Sequence, residues 1–79
     1  MTISGDELTE LVRIQLGAKT VRLEDRFQED LDAESADVLN VVAAVEDRWG
    51  VAIGEDELST ISTVAELLYL VRTRSGETP

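Results

Sequence analysis

Along the chain, apolar residues recur at helical spacing in three runs, separated by two stretches where the spacing is lost. In the first run Leu8, Leu11, Val12 and Leu16 share one face, which predicts a helix packed on one side and wet on the other. Its ends are punctuated: Ser4 is the expected N-cap, Glu7 its capping-box partner and Gly17 the stop, with Ile3 and Leu8 placed to form a hydrophobic staple. The second run, Val38, Val41, Val42, Val45 and Trp49, predicts a helix from Ser35 to Trp49 ended by Gly50. Its valines have indifferent helix propensity, so tertiary packing must hold it helical. The third, Val64, Leu67, Leu68 and Val71, opens on a Thr63/Glu66 capping box and ends with Arg72 and Arg74 suitably placed for the helix dipole.

Between the first two helices the rhythm breaks from Ala18 to Glu34. A loop of that length in a small domain is functional or pinned by a few apolar residues. Val21, Leu23, Phe27 and Leu31 are the expected anchors, with Phe27 and Leu31 plugging the bundle. Further on, Val51–Ile53 is too short to read as a strand, and Glu55, Asp56 and Glu57 form an acidic first turn before Leu58 and Ile61, which suits one short helix. The expected architecture is all-α: a small four-helix bundle of three longer helices and one short helix, with a long loop between the first and second. It forms one domain over residues 1–79, ordered from about 3 to 74, with a frayed tail at 75–79. Trp49 and Tyr69 are expected in the core or at its edge. Ala43 and Ala44 leave two readings open, a cavity between helices or close packing against alanine.

Charge narrows the function. Seventeen acids against seven bases give a net charge of −10, which repels nucleic-acid phosphates and anionic lipid and draws basic partners. The chain has no cysteine and no histidine, which removes thiolate chemistry, the usual zinc ligands and the commonest neutral-pH general base. A catalyst is not expected. MTISGDEL lacks a signal-peptide pattern and no apolar run reaches membrane-spanning length, so the expected setting is the cytoplasm without membrane insertion; a monomer is expected.

One acid-rich stretch tests a calcium hypothesis. Asp30, Asp32 and Glu34 fit the first, third and fifth positions of the EF-hand loop, but its required glycine is Ser35 and its bidentate glutamate is Val41. The motif fails where it is most specific, and no metal is expected.

Ser35 itself has two physical readings. As an N-cap, its oxygen accepts a bond from the first-turn amides. Alternatively, an earlier residue such as Asp32 or Glu34 helps to cap the helix, leaving an exposed hydroxyl at a helix N-terminus, where the dipole and unpaired amides favour an attached phosphate.

Phe27–Asp37, F-Q-E-D-L-D-A-E-S-A-D, resembles the attachment motif of the acyl carrier protein family, F-x-x-D-L-G-A-D-S-L-D. The resemblance continues through nearly the whole chain: Trp49-Gly50 resembles the family's F-G, V-A-I-G-E-D-E its I-x-I-P-D-E-D, and T-V-A-E-L its T-V-x-D-x. It implies that Ser35 is esterified by 4′-phosphopantetheine, and that the protein carries acyl groups as thioesters in fatty acid, specialised lipid or polyketide-type biosynthesis. The implied partners are a phosphopantetheinyl transferase and acyl-loading, acyl-transferring or condensing enzymes with basic docking surfaces. Asp32, Glu34, Ala36, Asp37, Asn40, Glu46 and Asp47 are the expected partner contacts, with Glu55 and Asp56 outlying.

The departures carry information. Asp32 replaces the motif's glycine, Glu34 its aspartate and Ala36 its leucine; Asn40 and Arg48 stand where acids are customary, and Gly54 where proline is. A smaller, less acidic second-helix face points to a specialised carrier rather than the partner of an ordinary fatty acid synthase. D-A-E also differs from the glycine-rich sequence common in peptidyl carriers. The competing class is a noncatalytic acidic helical adaptor, indifferent to modification of Ser35.

Overall fold

A computed structural model describes residues 3–76. Within them lie four helices: α1 (Gly5–Leu16), α2 (Ser35–Trp49), α3 (Glu55–Leu58) and α4 (Val64–Arg74). α1 packs against both α2 and α4. The all-α bundle expected from periodicity is therefore the fold.

The caps explain where the helices begin and end. Ser4 Oγ accepts from Glu7 N at 3.0 Å and Glu7 Oε1 accepts from Ser4 N at 3.3 Å. At α4, Thr63 Oγ1 accepts from Glu66 N at 3.1 Å, and Glu66 Oε1 accepts from Thr63 N at 2.9 Å. Gly17 and Gly50 both take φ 66°, the left-handed conformation that ends a helix and that a side chain strains.

The core joins the three longer helices. Leu8 and Val12 from α1, Val41 and Val45 from α2, and Val64, Leu67 and Val71 from α4 are fully enclosed. A valine gives up at most about 0.7 kcal/mol of helix propensity relative to alanine. Burying it returns roughly 1.5–3 kcal/mol. Packing therefore decides the conformation of α2 against local preference.

The long loop is strapped to the start of α4 by main-chain bonds. Phe27 N donates to Ser62 O at 2.9 Å, Val64 N to Asp25 O at 3.0 Å and Ala65 N to Leu23 O at 2.8 Å. Phe27, only 2 % exposed, plugs the core below this strap, while Val21, Leu23 and Leu31 pack half-buried against it. Leu31 is thus an edge anchor rather than a full plug. Segment 51–53 forms no strand; Ile53 is buried and its N–H donates to Glu46 Oε2 at 2.8 Å.

One expectation needs correction. Tyr69 is 67 % exposed and belongs to neither core nor edge. At about 100° per residue it points some 200° away from Leu67, on the wet side of α4. Trp49 does sit half-buried at the edge, with the Arg48 guanidinium 5.3 Å from its ring centroid. Of the alanine pair, Ala43 is exposed and Ala44 half-buried. Of the expected tail, Ser75 and Gly76 continue the last turn through Ser75 N to Val71 O and Gly76 N to Thr73 O, and residues 77–79 lie outside the described range.

Candidate functional site

The loop delivers the chain to Ser35 in fixed steps. Asp30 N and Leu31 N both donate to Arg26 O, closing a turn, and the buried Ala33 donates its N–H to Phe27 O at 2.8 Å. Between them Asp32 adopts φ 55°, the one left-handed non-glycine among the described residues. Aspartate tolerates this region better than most residues but less well than glycine. The same position holds glycine in the attachment motif.

The N-cap of α2 is Glu34, and Ser35 is the first helical residue. Asp37 Oδ2 accepts from Glu34 N at 3.0 Å, tying the cap to the first turn. Ser35 is exposed, and among the described residues its hydroxyl has no hydrogen-bond partner. Of the two readings of this oxygen, the geometry therefore matches the second. As first-turn groups, the amides of Ser35 and Ala36 have no carbonyl four residues back inside the helix, so they face outward beside the hydroxyl. An exposed, unengaged hydroxyl next to open amides fits a phosphodiester-linked group.

A surface groove of about 470 Å³ begins at Ser35. Phe27, Val38, Leu39, Leu58 and Ile61 supply its apolar lining, so loop, α2 and the α3–α4 segment all contribute. Leu39 is 47 % exposed. Sequence reasoning did not single it out, although its position off the Val38–Val41–Val42–Val45 stripe was a usable signal.

The expected partner contacts divide by location. Asp32, Glu34 and Ala36 are exposed beside Ser35, Asp37 is half-buried there, and Asn40 is exposed one turn further on. Glu55 joins them from α3, since it lines the same groove; Asp56 is exposed next to it. Asp47 is exposed but lies about 18 Å along the helix axis from Ser35. Glu46 is half-buried and holds Ile53 N, an internal task the sequence reading did not foresee.

Other carboxylates near the loop are tied to structure as well. The Arg26 backbone N–H and then its guanidinium hold Asp30 below its ordinary range. The backbone amides of Ser62 and Thr63, helped by both hydroxyls, lower Glu66 from 4.5 to about 2. Among the described residues no group of acids is arranged to hold a metal ion, and no helix is long and apolar enough to cross a membrane.

The described residues thus form a small all-α bundle whose long loop presents an exposed serine at the start of α2. The family model described as "Phosphopantetheine attachment site" matches residues 6–71. An acyl carrier protein of Wolinella succinogenes is 34 % identical over 70 residues, covering 86 % of this chain and 92 % of the relative. A crystal structure of the acyl carrier protein of Thermotoga maritima superposes with a TM-score of 0.77 at 30 % identity, over 91 % of this chain and 86 % of that one. A solution structure from the actinorhodin polyketide synthase of Streptomyces coelicolor, described as a 3,5-dioxohexyl carrier protein and triketide mimic, gives 0.80 at 26 % identity, over 100 % and 98 %. The chain belongs to the acyl carrier protein family: it is a phosphopantetheine-bearing carrier that serves biosynthetic enzymes and is not itself an enzyme.

Proposed function

We propose that Ser35 is the attachment residue for the 4′-phosphopantetheine arm. The observation that carries this reading is the exposed Ser35 hydroxyl, left without a partner because Glu34 and Asp37 complete the cap of α2. When bound, the arm supplies a flexible thiol that holds acyl groups as thioesters, which this cysteine-free chain cannot provide. The chain's own residues do the rest. The α2 amides and loop fix the attachment point, and the strap holds it in register with the groove.

Tethering keeps cargo at high effective concentration beside each docked enzyme. Docking must also be brief, and a charged rim favours fast encounter over tight binding. Asp32, Glu34, Asp37, Glu55 and Asp56 form that rim, with Ala36 and Asn40 as its uncharged part and Asp47 as a distant contact. Glu46 has a competing structural role. The fitting partners are a phosphopantetheinyl transferase and acyl-loading, acyl-transferring or condensing enzymes with basic surfaces. The setting is fatty acid, specialised lipid or polyketide-type synthesis by a monomer in the cytoplasm.

Intact mass before and after incubation with coenzyme A and a broad-specificity phosphopantetheinyl transferase tests the assignment, with Ser35→Ala as control. One phosphopantetheine gained by the wild type and none by the variant is the expected result. Gain retained in Ser35→Ala overturns the attachment residue. No gain from shown-unmodified protein, with broad and dedicated transferases active on another carrier, favours the acidic adaptor.

A further inference from the structure

Glu66 commits only half of its carboxylate to the start of α4. Oε1 accepts from Ser62 N at 2.8 Å, Ser62 Oγ at 2.9 Å, Thr63 N at 2.9 Å and Thr63 Oγ1 at 3.2 Å. Oε2 accepts no bond among the described residues, and none of their arginines or lysines pairs with it. The same bonds hold the carboxyl at about 2, so the open oxygen keeps its charge. The exposed Tyr69 ring stands three residues further along α4, the spacing that makes helix side chains neighbours. Glu66 and Tyr69 border one surface hollow of about 420 Å³, with Ile61, Ala65 and Leu70 as its apolar lining.

An oriented anion, an aromatic face and an apolar bed together select one kind of group. A guanidinium can donate to Oε2 while its plane lies on the ring and its methylene stem covers Ile61 and Leu70. An ammonium makes the ion contact but has no plane to stack, and an anion is repelled by a chain of net charge −10. Ile61 also lines the groove that begins at Ser35, so the two hollows adjoin across a single side chain. Resting on Ser35 as the point a partner must reach, we infer that the Glu66–Tyr69 hollow is a docking site for an arginine side chain of a partner protein seated over that groove. It adds a fixed anchor on α4 to the acidic residues around Ser35, setting the register of a partner that those charges attract.

The test titrates the isotope-labelled full chain with N-acetyl-arginine methylamide and with the matching citrulline compound, which has nearly the same shape and no charge. The readouts are the Tyr69 ring signals and the backbone amides of residues 60–61, 65–66 and 69–70 by NMR. The arginine probe should bind about fivefold more tightly than the citrulline probe, with the changes centred on these signals. Tyr69→Leu, at a position whose side chain makes no bond among the described residues, should weaken arginine about two- to fivefold. Glu66→Gln keeps an acceptor for the cap and puts an amide NH2 in place of Oε2, so arginine should fall to the citrulline level while the spectrum stays that of a folded protein. Equal binding of the two probes, changes centred on the acids near Ser35 instead, or an unaltered response in folded Tyr69→Leu overturns the inference. Loading of Ser35 is followed on the same sample by intact mass. Loading without an arginine response at the hollow overturns the docking site and leaves the attachment residue standing. A response without loading upholds the hollow and overturns the attachment residue.

Discussion

Asp37 Oδ2 and the backbone N–H of Glu34 meet at 3.0 Å, closing the start of α2 around Ser35 without using its hydroxyl. An N-cap serine replaced by alanine costs about 1 kcal/mol. Here Ser35→Ala should unfold in urea within about 0.5 kcal/mol of the wild type, because alanine suits a first-turn position and no bond is lost. Asp37→Ala should lose roughly 0.5–2 kcal/mol. The reverse ranking would show that the serine oxygen holds the helix.

Glu46 and Asp47 adjoin in sequence but should behave differently. Glu46 Oε2 fixes the N–H of the buried Ile53 at 2.8 Å, whereas Asp47 is exposed and its side chain makes no bond among the described residues. A hydrogen bond to a charged group contributes about 1.5–3 kcal/mol. Glu46→Ala should therefore lower the unfolding free energy by an amount of that order, and Asp47→Ala by less than about 0.5 kcal/mol. Equal small losses from denaturant curves would return Glu46 to the docking surface.

Asp32 holds φ 55°, which penalises residues with a Cβ by roughly 1–2 kcal/mol, aspartate less than most. Asp32→Gly should melt at or above the wild-type temperature, and Asp32→Val several degrees below it, since about 1 kcal/mol moves Tm by roughly 4–8 °C in a domain of this size. A valine variant as stable as the wild type would mean that the backbone relaxes out of this conformation.

Acid should weaken the protein through Glu66. Its carboxyl is lowered from 4.5 to about 2 by the Ser62 and Thr63 amides and hydroxyls. Because the folded value lies below the unfolded one, the unfolded chain binds the proton first. The stabilisation is complete above pH 4.5 and disappears as pH falls through about 2. Glu66→Gln should flatten the stability profile in that window relative to the wild type, followed by urea midpoints at each pH. Parallel profiles would assign the acid sensitivity to other carboxylates.

What was legible in the sequence was local. The Ser4/Glu7 and Thr63/Glu66 boxes and the glycine stops act within one helical turn, so a short window contains the whole interaction. The helix faces were legible for the same reason: a period of 3.6 residues needs only the neighbouring turns. Tyr69 was misplaced, although its angle relative to Leu67 and Leu68 already put it outside. The Glu46–Ile53 bond and the groove needed knowledge of which distant segments meet. Phe27 and Ser62 carry no sequence mark of their backbone bond, and Leu39, Leu58 and Ile61 become one surface only after that bond forms. At Ser35 residue types left both readings of the oxygen open, and only the backbone at Glu34 separated them.

The strap between the loop and α4 is built from main-chain groups alone: Leu23, Asp25 and Phe27 meet Ser62, Val64 and Ala65 through N–H and carbonyl. Such bonds do not depend on which side chains the participating residues carry, so long as none is proline on the donor side. The outward-facing letters around the serine can thus be rewritten while the serine keeps its address. The lettering on the surface is thereby separated from the frame that displays it, which leaves this small fold room to vary its face by substitution alone.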